Sequence, residues 1–362
     1  MGKKLRSGFT TGSCSAAAAK AAVKALVTGE CQESVTITFP DNSRKTFPLC
    51  RCAIDRSNQQ VLGFASIVKD AGDDPDVTNG AEICATVRFV KTPRADRDAV
   101  VLKNVQISRG QGVGYVTKPG LAAKVGEPAI NPVPRQMICQ AVREVTDRPV
   151  EVVISIPNGE ILAEKTLNNR LGIVGGLSIL GTTGIVRPVS ADAWKATIVA
   201  SMDVAREAGL TEIVLSTGRT SEKGGQRLLD LREEAYAMMG DYLEFSLKKA
   251  AEKEFATIHL CGMWAKIMKA ALKIPQTHVR NGALEVSDGA DLLESLGASG
   301  ELLAKLQRAN TAREMLTHLE DSGEDELIRT VCLKAREYCE EVSGTQVNVY
   351  LIDSSANIII HV

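Results

Sequence analysis

The sequence predicts an α+β first domain with a mixed or antiparallel sheet and helices, followed by a Rossmann-like α/β second domain. Three observations carry that reading. At 362 residues the chain is longer than one typical domain and can bury two cores. Its first half is dominated by short β-branched runs separated by Pro, Asp, Asn and Gly, the pattern of strands joined by turns. From about residue 190 strands that end at glycine alternate with helical segments, as in βα units. The boundaries drawn on this basis are 1–189 and 190–362.

In chain order, "TTGSCSAAAAKAAVKALVTGE" combines capping residues, strong helix formers and a terminal glycine, which predicts a helix over 13–28. "ESVTITFP", "KTFPL", "GFASIVKD", "AEICATVRFV" and "AVVLKNVQIS" read as strands. "NPVPRQMICQAVREV" gives a helix with prolines at its entrance. "VEVVISIPNGEILAEK" reads as a hairpin turning at residues 157–159, because Asn-Gly favours positive φ. Beyond 190, "SADAWKATIVASMDVAREAG", "RLLDLREEAYAMM", "YLEFSLKKAAEK" and "MWAKIMKAALK" read as helices. Strands are expected at 213–216 and 257–261. Residues 289–341 are helical by period, and "TQVNVYLIDSSANIIIHV" forms a closing hairpin that could pair in either domain.

Bulk composition excludes several function classes. Lys plus Arg number 43 against 44 Asp plus Glu, a balance that suggests neither nucleic acid nor an anionic membrane as partner. Nine dispersed cysteines suit reduced thiols in the cytoplasm, and four scattered histidines offer no zinc framework. No protein-bound metal is expected. The basic N-terminus leads into an alanine-rich run broken by lysine, unlike a signal peptide. The longest uncharged run, 171–186, is shorter than the roughly 20 apolar residues of a membrane span. Oligomeric state is open, a homo-oligomer being compatible with the composition.

Four segments could carry chemistry. "FTTGS" feeds into the first helix, so Thr10, Thr11 and Ser13 either cap it or help its N-terminus take an anion. "DAGDDPDVTNGAEI" gathers carboxylates that suit a general base or a hard cation, with Asp74 and Asp76 foremost; a solvated turn uses the same residues. "GQGVGYVTKPGLAAKVGEPAINPVPRQM" offers backbone donors beside Lys118, Lys124 and Arg135, or is a long surface connection. "NNRLGIVGGLSILGTTGIVRP" holds glycines 172, 175, 176, 181 and 184 among apolar residues, between Arg170 and Arg187. It lacks the Lys-Ser/Thr of a phosphate loop. It reads as the wall of a site for a flat ligand, or as a buried crossover.

These segments, with "ISIPNGE", cover most of the first 190 residues and together resemble the hallmark segments of the CbiD family, the cobalt-precorrin-5B C1-methyltransferases of anaerobic cobalamin biosynthesis. The resemblance implies S-adenosylmethionine as methyl donor, a cobalt-containing tetrapyrrole as acceptor, and an α+β plus Rossmann-like fold. Where many members have His after "DPDVT" this chain has Asn79. "CGMWAK", with Met263 and Trp264, replaces a "CGHIGK"-like segment, and Thr277, His278 and Val279 follow in place of "THS" and an acid.

The donor is expected against Gly175, Gly176, Gly181, Thr182, Thr183 and Gly184, or at the βα loop holding Thr217 and Gly218. The carboxylates of the macrocycle, bound between the domains, would meet Thr10, Thr11, Ser13, Lys118, Lys124, Arg135, Arg170 and Arg187. Asp74 or Asp76 would be the base. The alternatives are a non-catalytic tetrapyrrole carrier or pathway chaperone, suggested by the missing histidines, and a small-molecule kinase, suggested by "GLSILGTTG".

Overall fold

A two-residue strand, β1 (Gly8–Phe9), leads directly into helix α1 (Thr11–Thr28), which starts two residues earlier than its sequence predicts because Thr10 is the cap. The Thr10 hydroxyl accepts the Ser13 N–H at 3.2 Å. At the other end Gly29, at φ 79°, returns its N–H to the Ala25 carbonyl, the left-handed stop that glycine adopts without strain. Residues 16–19, 21 and 22 of α1 are fully buried alanines. Small side chains let this helix lie close on a sheet: a Cβ on Gly63 would come within 2.2 Å of the Ala22 carbonyl oxygen.

The structure, a computed structural model, describes residues 5–57, 60–276 and 286–362. Residues 277–279, with the His278 position, lie outside them. The chain divides into two units, Met1–Ser190 and Ala191–Val362. In the first, α1 is followed by β2 (Ser34–Thr38), β3 (Arg44–Pro48), β4 (Arg51–Asp55), β5 (Leu62–Val68), β6 (Glu82–Phe89), β7 (Ala99–Leu102), β8 (Val105–Arg109) and β9 (Tyr115–Val116). Then come α2 (Pro132–Arg143), β10 (Val150–Ser155), α3 (Gly159–Ala163), β11 (Ile173–Val174) and β12 (Ile185–Val186). A six-stranded mixed sheet runs β4-β5-β6-β10-β8-β7, with only β10 and β8 parallel. Helices α1 and α2 pack together, and α1 lies on β5 and β6.

Two sequence readings fail here. The Asn-Gly at 158–159 does not turn a hairpin: Asn158 adopts φ 59°, but the chain continues as the short helix α3. Strand β10 is already paired on both sides, by β6 and β8, so it has no edge for a returning strand. Gly159 instead packs on Gly112, whose carbonyl oxygen would sit 2.2 Å from a Cβ there. Conversely, "AVVLKNVQIS" is not one strand but two. β7 and β8 fold back at Lys103 and Asn104, both with positive φ.

The second unit contains α4 (Ala191–Glu207), β13 (Glu212–Ser216), α5 (Arg219–Leu228), β14 (Tyr236–Met238), α6 (Leu243–Glu252), β15 (Thr257–Gly262) and α7 (Trp264–Ala271). Helices α8 (Val286–Ser295), α9 (Gly300–Arg308), α10 (Ala312–Asp321) and α11 (Asp325–Ser343) precede β16 (Gln346–Ile352) and β17 (Ile358–His361). The sheet order is β14-β13-β15-β16-β17, parallel except for β17. The closing hairpin therefore belongs to this unit. "RLLDLREEAYAMM" is not one helix: α5 stops at Leu228 and residues 236–238 join β13 as a strand. Tyr236 and Ala237 are buried there at 2% and 0% exposure, a burial that outweighs local helix propensity.

Candidate functional site

In the first unit, segments far apart in sequence converge on the start of α1. β1 pairs antiparallel with β12, setting Phe9 opposite Ile185. The loop just before β12 closes over the helix end. Thr10 N–H donates to the Gly184 carbonyl at 3.0 Å and Gly12 N–H to the Leu180 carbonyl at 3.1 Å. The Ser13 hydroxyl donates to the Gly184 carbonyl at 2.7 Å, and the Thr11 hydroxyl accepts the Leu180 N–H at 3.0 Å. Thr10, Thr11 and Ser13 are buried. The helix N-terminus is thus occupied by the chain's own loop, which corrects the expectation that these three present an open anion site. Gly181, at φ 125°, allows the contact: a Cβ there would lie 2.5 Å from the Thr10 side chain.

The acidic loop joins the same assembly. Phe9 N–H donates to the Asp70 carbonyl at 2.7 Å, and the Asp73 carboxylate accepts the Arg6 N–H at 2.6 Å. Asp74 accepts the Val189 N–H at 2.8 Å, tying the acidic loop to the chain just after β12. Asp76 is held differently. Its carboxylate takes the Lys69 ammonium at 2.6 Å and the Thr78 N–H and hydroxyl at 2.7 and 2.6 Å. Lys69 is 1% exposed. Burial by itself would raise the Asp76 pKa, but the Lys69 and Thr78 hydrogen bonds outweigh it and the net shift is downward. A carboxylate so stabilised is a weak base. Asn79 accepts the Ala71 N–H through its side-chain oxygen at 2.9 Å.

The two glycine-rich segments interlock. β9 pairs with β11, and Val113 and Ile130 bridge Leu177 and Ile179. Gly176, at φ 153°, passes so close to Gly112 that a Cβ would fall 2.3 Å from its carbonyl carbon. The cations are partly committed within the protein. Arg135 donates to the Ile130 carbonyl at 2.6 Å and to Glu127 at 2.7 Å, and Lys118 donates to the Arg170 carbonyl at 3.2 Å. Arg135 and Lys118, both expected to meet ligand carboxylates, thus have partners within the chain. Lys124, Arg187, Thr182 and Thr183 are exposed, as is Gly175. Apolar surface accompanies them: Val174, Leu180 and Val189 are 40%, 49% and 60% exposed.

Sequence reasoning missed Tyr115, Arg97 and Arg109. The Tyr115 ring lies 3.7 Å from where a Gly175 Cβ would stand, and the Arg97 and Arg109 guanidiniums sit 5.1 and 4.9 Å from its centre. The adjacency of Arg109 to Gly110 was the available signal.

In the second unit, Thr217 and Gly218 follow β13 at the carboxyl edge of the parallel strands. Thr217 N–H donates to the Cys261 carbonyl at 3.1 Å. The Thr217 and Ser221 hydroxyls lie 3.2 Å apart, and Gly218 N–H donates to the Ser221 hydroxyl at 3.0 Å. Gly218 has φ 174°, an extended value open to any residue. A Cβ on it would meet nothing within 4 Å. Neither backbone nor packing requires glycine at this position, so the open ground beside it is available to a ligand.

The chain is a two-unit mixed α/β protein, with glycine-lined surfaces in the first unit and an open strand-to-helix loop in the second. The CbiD family profile matches residues 1–188 and that of the CbiD C-terminal domain matches 276–362. The chain belongs to the CbiD family. A relative from Desulfotalea psychrophila, named cobalt-precorrin-5B C(1)-methyltransferase, is 58% identical over 99% of this chain and 98% of its own length. One of the same name from Geobacter metallireducens is 47% identical over 92% of each. A solved structure, a cobalamin biosynthesis protein (cbiD) from Archaeoglobus fulgidus, aligns over 88% of this chain and 85% of its own at 23% identity and a TM-score of 0.39. No described helix is long and apolar enough to cross a membrane.

Proposed function

We propose that this protein transfers a methyl group from S-adenosylmethionine to C-1 of cobalt-precorrin-5B, yielding cobalt-precorrin-6A in anaerobic cobalamin biosynthesis. The single observation that carries the reading is full-length similarity, at 58% identity, to a relative of that name. A cytoplasmic location and a Rossmann-like second unit are parts of the same proposal.

The donor supplies an already activated methyl sulfonium when bound, so no nucleophilic side chain is required of the protein. What the chain must do is hold two ligands in line, keep water out and accept a proton from the ring. The open loop at Thr217 and Gly218 is the donor side in this proposal. The exposed Val174, Gly175 and Leu180 surface, with Lys124, Arg187 and Arg97, is suited to an apolar ring fringed by carboxylates, while Arg109, paired with Asp98 at 2.5 Å, backs the Tyr115 ring. Asp74 accepts the proton through its carboxylate, while the Lys69–Asp76 pair keeps the acidic loop in shape.

The test mixes purified protein, methyl-labelled donor and the cobalt macrocycle. Label is expected in the ring at C-1. Its absence, where a relative of the same name succeeds, would sink the enzymatic reading. Tight macrocycle binding without donor binding would identify a carrier instead.

A further inference from the structure

The strand order of the second unit places a topological switch at the edge that carries Thr217 and Gly218. From β13 the chain crosses to β14 on one side, then back past β13 to β15 on the other. Connections leaving in opposite directions part the loops above β13 and β15, and open parallel sheets bind their ligands in that crevice. At this edge Gly218 follows β13 and β15 ends at Gly262. The next loop, after β14, is pulled onto the same edge. Met239 and Gly240 N–H groups both donate to the Ser216 carbonyl, at 2.9 and 3.3 Å.

That loop carries two side chains suited to a nucleoside. Asp241 is ion-paired with Lys266 of α7, which fixes its carboxylate at the sheet edge. It stands 23 residues after Gly218, close to the spacing of about 20 at which an acid at the end of the second strand of such a sheet meets the ribose hydroxyls. Trp194 lies against Gly240 and donates its indole N–H to the Met239 carbonyl at 3.2 Å, yet it is 45% exposed. A large aromatic held rigidly and left open beside a carboxylate suits a purine base.

We infer that Asp241 receives the ribose hydroxyls of the methyl donor's adenosyl group, that Trp194 flanks its base, and that the bare Gly218 gives the nucleoside room to approach. The inference rests on the donor-dependent reading above.

The full chain is titrated calorimetrically with S-adenosylhomocysteine and with its 2′-deoxy counterpart, and tryptophan emission is followed in parallel. Wild type is expected to bind the ribose compound about tenfold more tightly, since a hydrogen bond to a charged group supplies at least that. D241N should bind both compounds weakly and alike. Emission should be quenched in wild type and not in W194F, because the other tryptophan, Trp264, is 3% exposed. G218A should keep its thermal midpoint and lose affinity tenfold or more. If wild type binds S-adenosylhomocysteine without telling ribose from deoxyribose, or D241N still tells them apart, the assignment is overturned and the donor-dependent reading stands. If wild type binds neither compound even with macrocycle present, both fall together. The wild-type comparison needs no variant, so a D241N that fails to fold leaves the test intact.

Discussion

Gly181→Ala tests whether the glycine-rich loop is a structural lock on the first helix. The added Cβ would lie 2.5 Å from the Cβ, Cγ2 and Oγ1 of Thr10, and the residue would have to hold φ 125°. The Thr10 Cβ is fixed to the backbone and cannot rotate away. Left-handed backbone costs a non-glycine residue about 1–2 kcal/mol. Displacing Thr10 sacrifices the cap on Ser13, about 1 kcal/mol more. The expected destabilisation is therefore ~2–3 kcal/mol, a factor of roughly 30 to 160 in the opening equilibrium. Hydrogen exchange of the peptide spanning 11–28 reads this opening separately from the second unit. T10G removes all three clashing atoms, and glycine is itself a tolerable cap. The double variant T10G/G181A should recover about 1 kcal/mol relative to the sum of the singles. A G181A protein within about 0.5 kcal/mol of wild type, or strict additivity in the double variant, would refute the argument.

Further outcomes follow from the same geometry. Lys69→Met removes a buried partner from Asp76 and should cost about 3 kcal/mol in urea unfolding. Because the folded pKa of Asp76 is depressed, its stabilising contribution is complete above the ordinary carboxylate range near about pH 4. It is lost as pH falls through the lowered value, so Asp76→Asn should flatten the acid limb of the wild-type stability curve. Asp74→Asn should slow single-turnover methylation by ~100-fold or more, and a full wild-type rate would remove Asp74 as the base. Burial pushes the thiols of Cys14, Cys261, Cys332 and Cys339 up to about 12. Thiol titration of the folded protein at neutral pH should therefore find the exposed Cys31 and Cys50 first and leave those four until denaturant is added.

Much was legible in the residue string where the determinant is local. The alanine run and terminal glycine mark α1, and glycine-terminated β-branched runs mark β13 and β15. The glycines of 172–184 announce a backbone that must pass close to something. What they pass close to was not legible, because the partners are distant: Gly181 meets Thr10 and Gly176 meets Gly112. The Asn-Gly at 158–159 misled for the same reason, its hairpin being forbidden by pairings on both sides of β10. The Glu127 and Ile130 carbonyl partners of Arg135 are likewise set by the folded chain, not by the residue type.

The sequence by itself determined the family, the main helices and the strand-then-helix rhythm of the second unit, since each rests on short-range patterns of side-chain size, polarity and backbone freedom. The tertiary structure alone decided which hydroxyls and cations have partners within the chain, and that Gly218 faces open ground at an extended φ. It alone brought Asp241 and Trp194 to the same sheet edge. Those outcomes depend on hydrogen-bond partners and strand order set by long-range packing, which no local pattern of residues encodes.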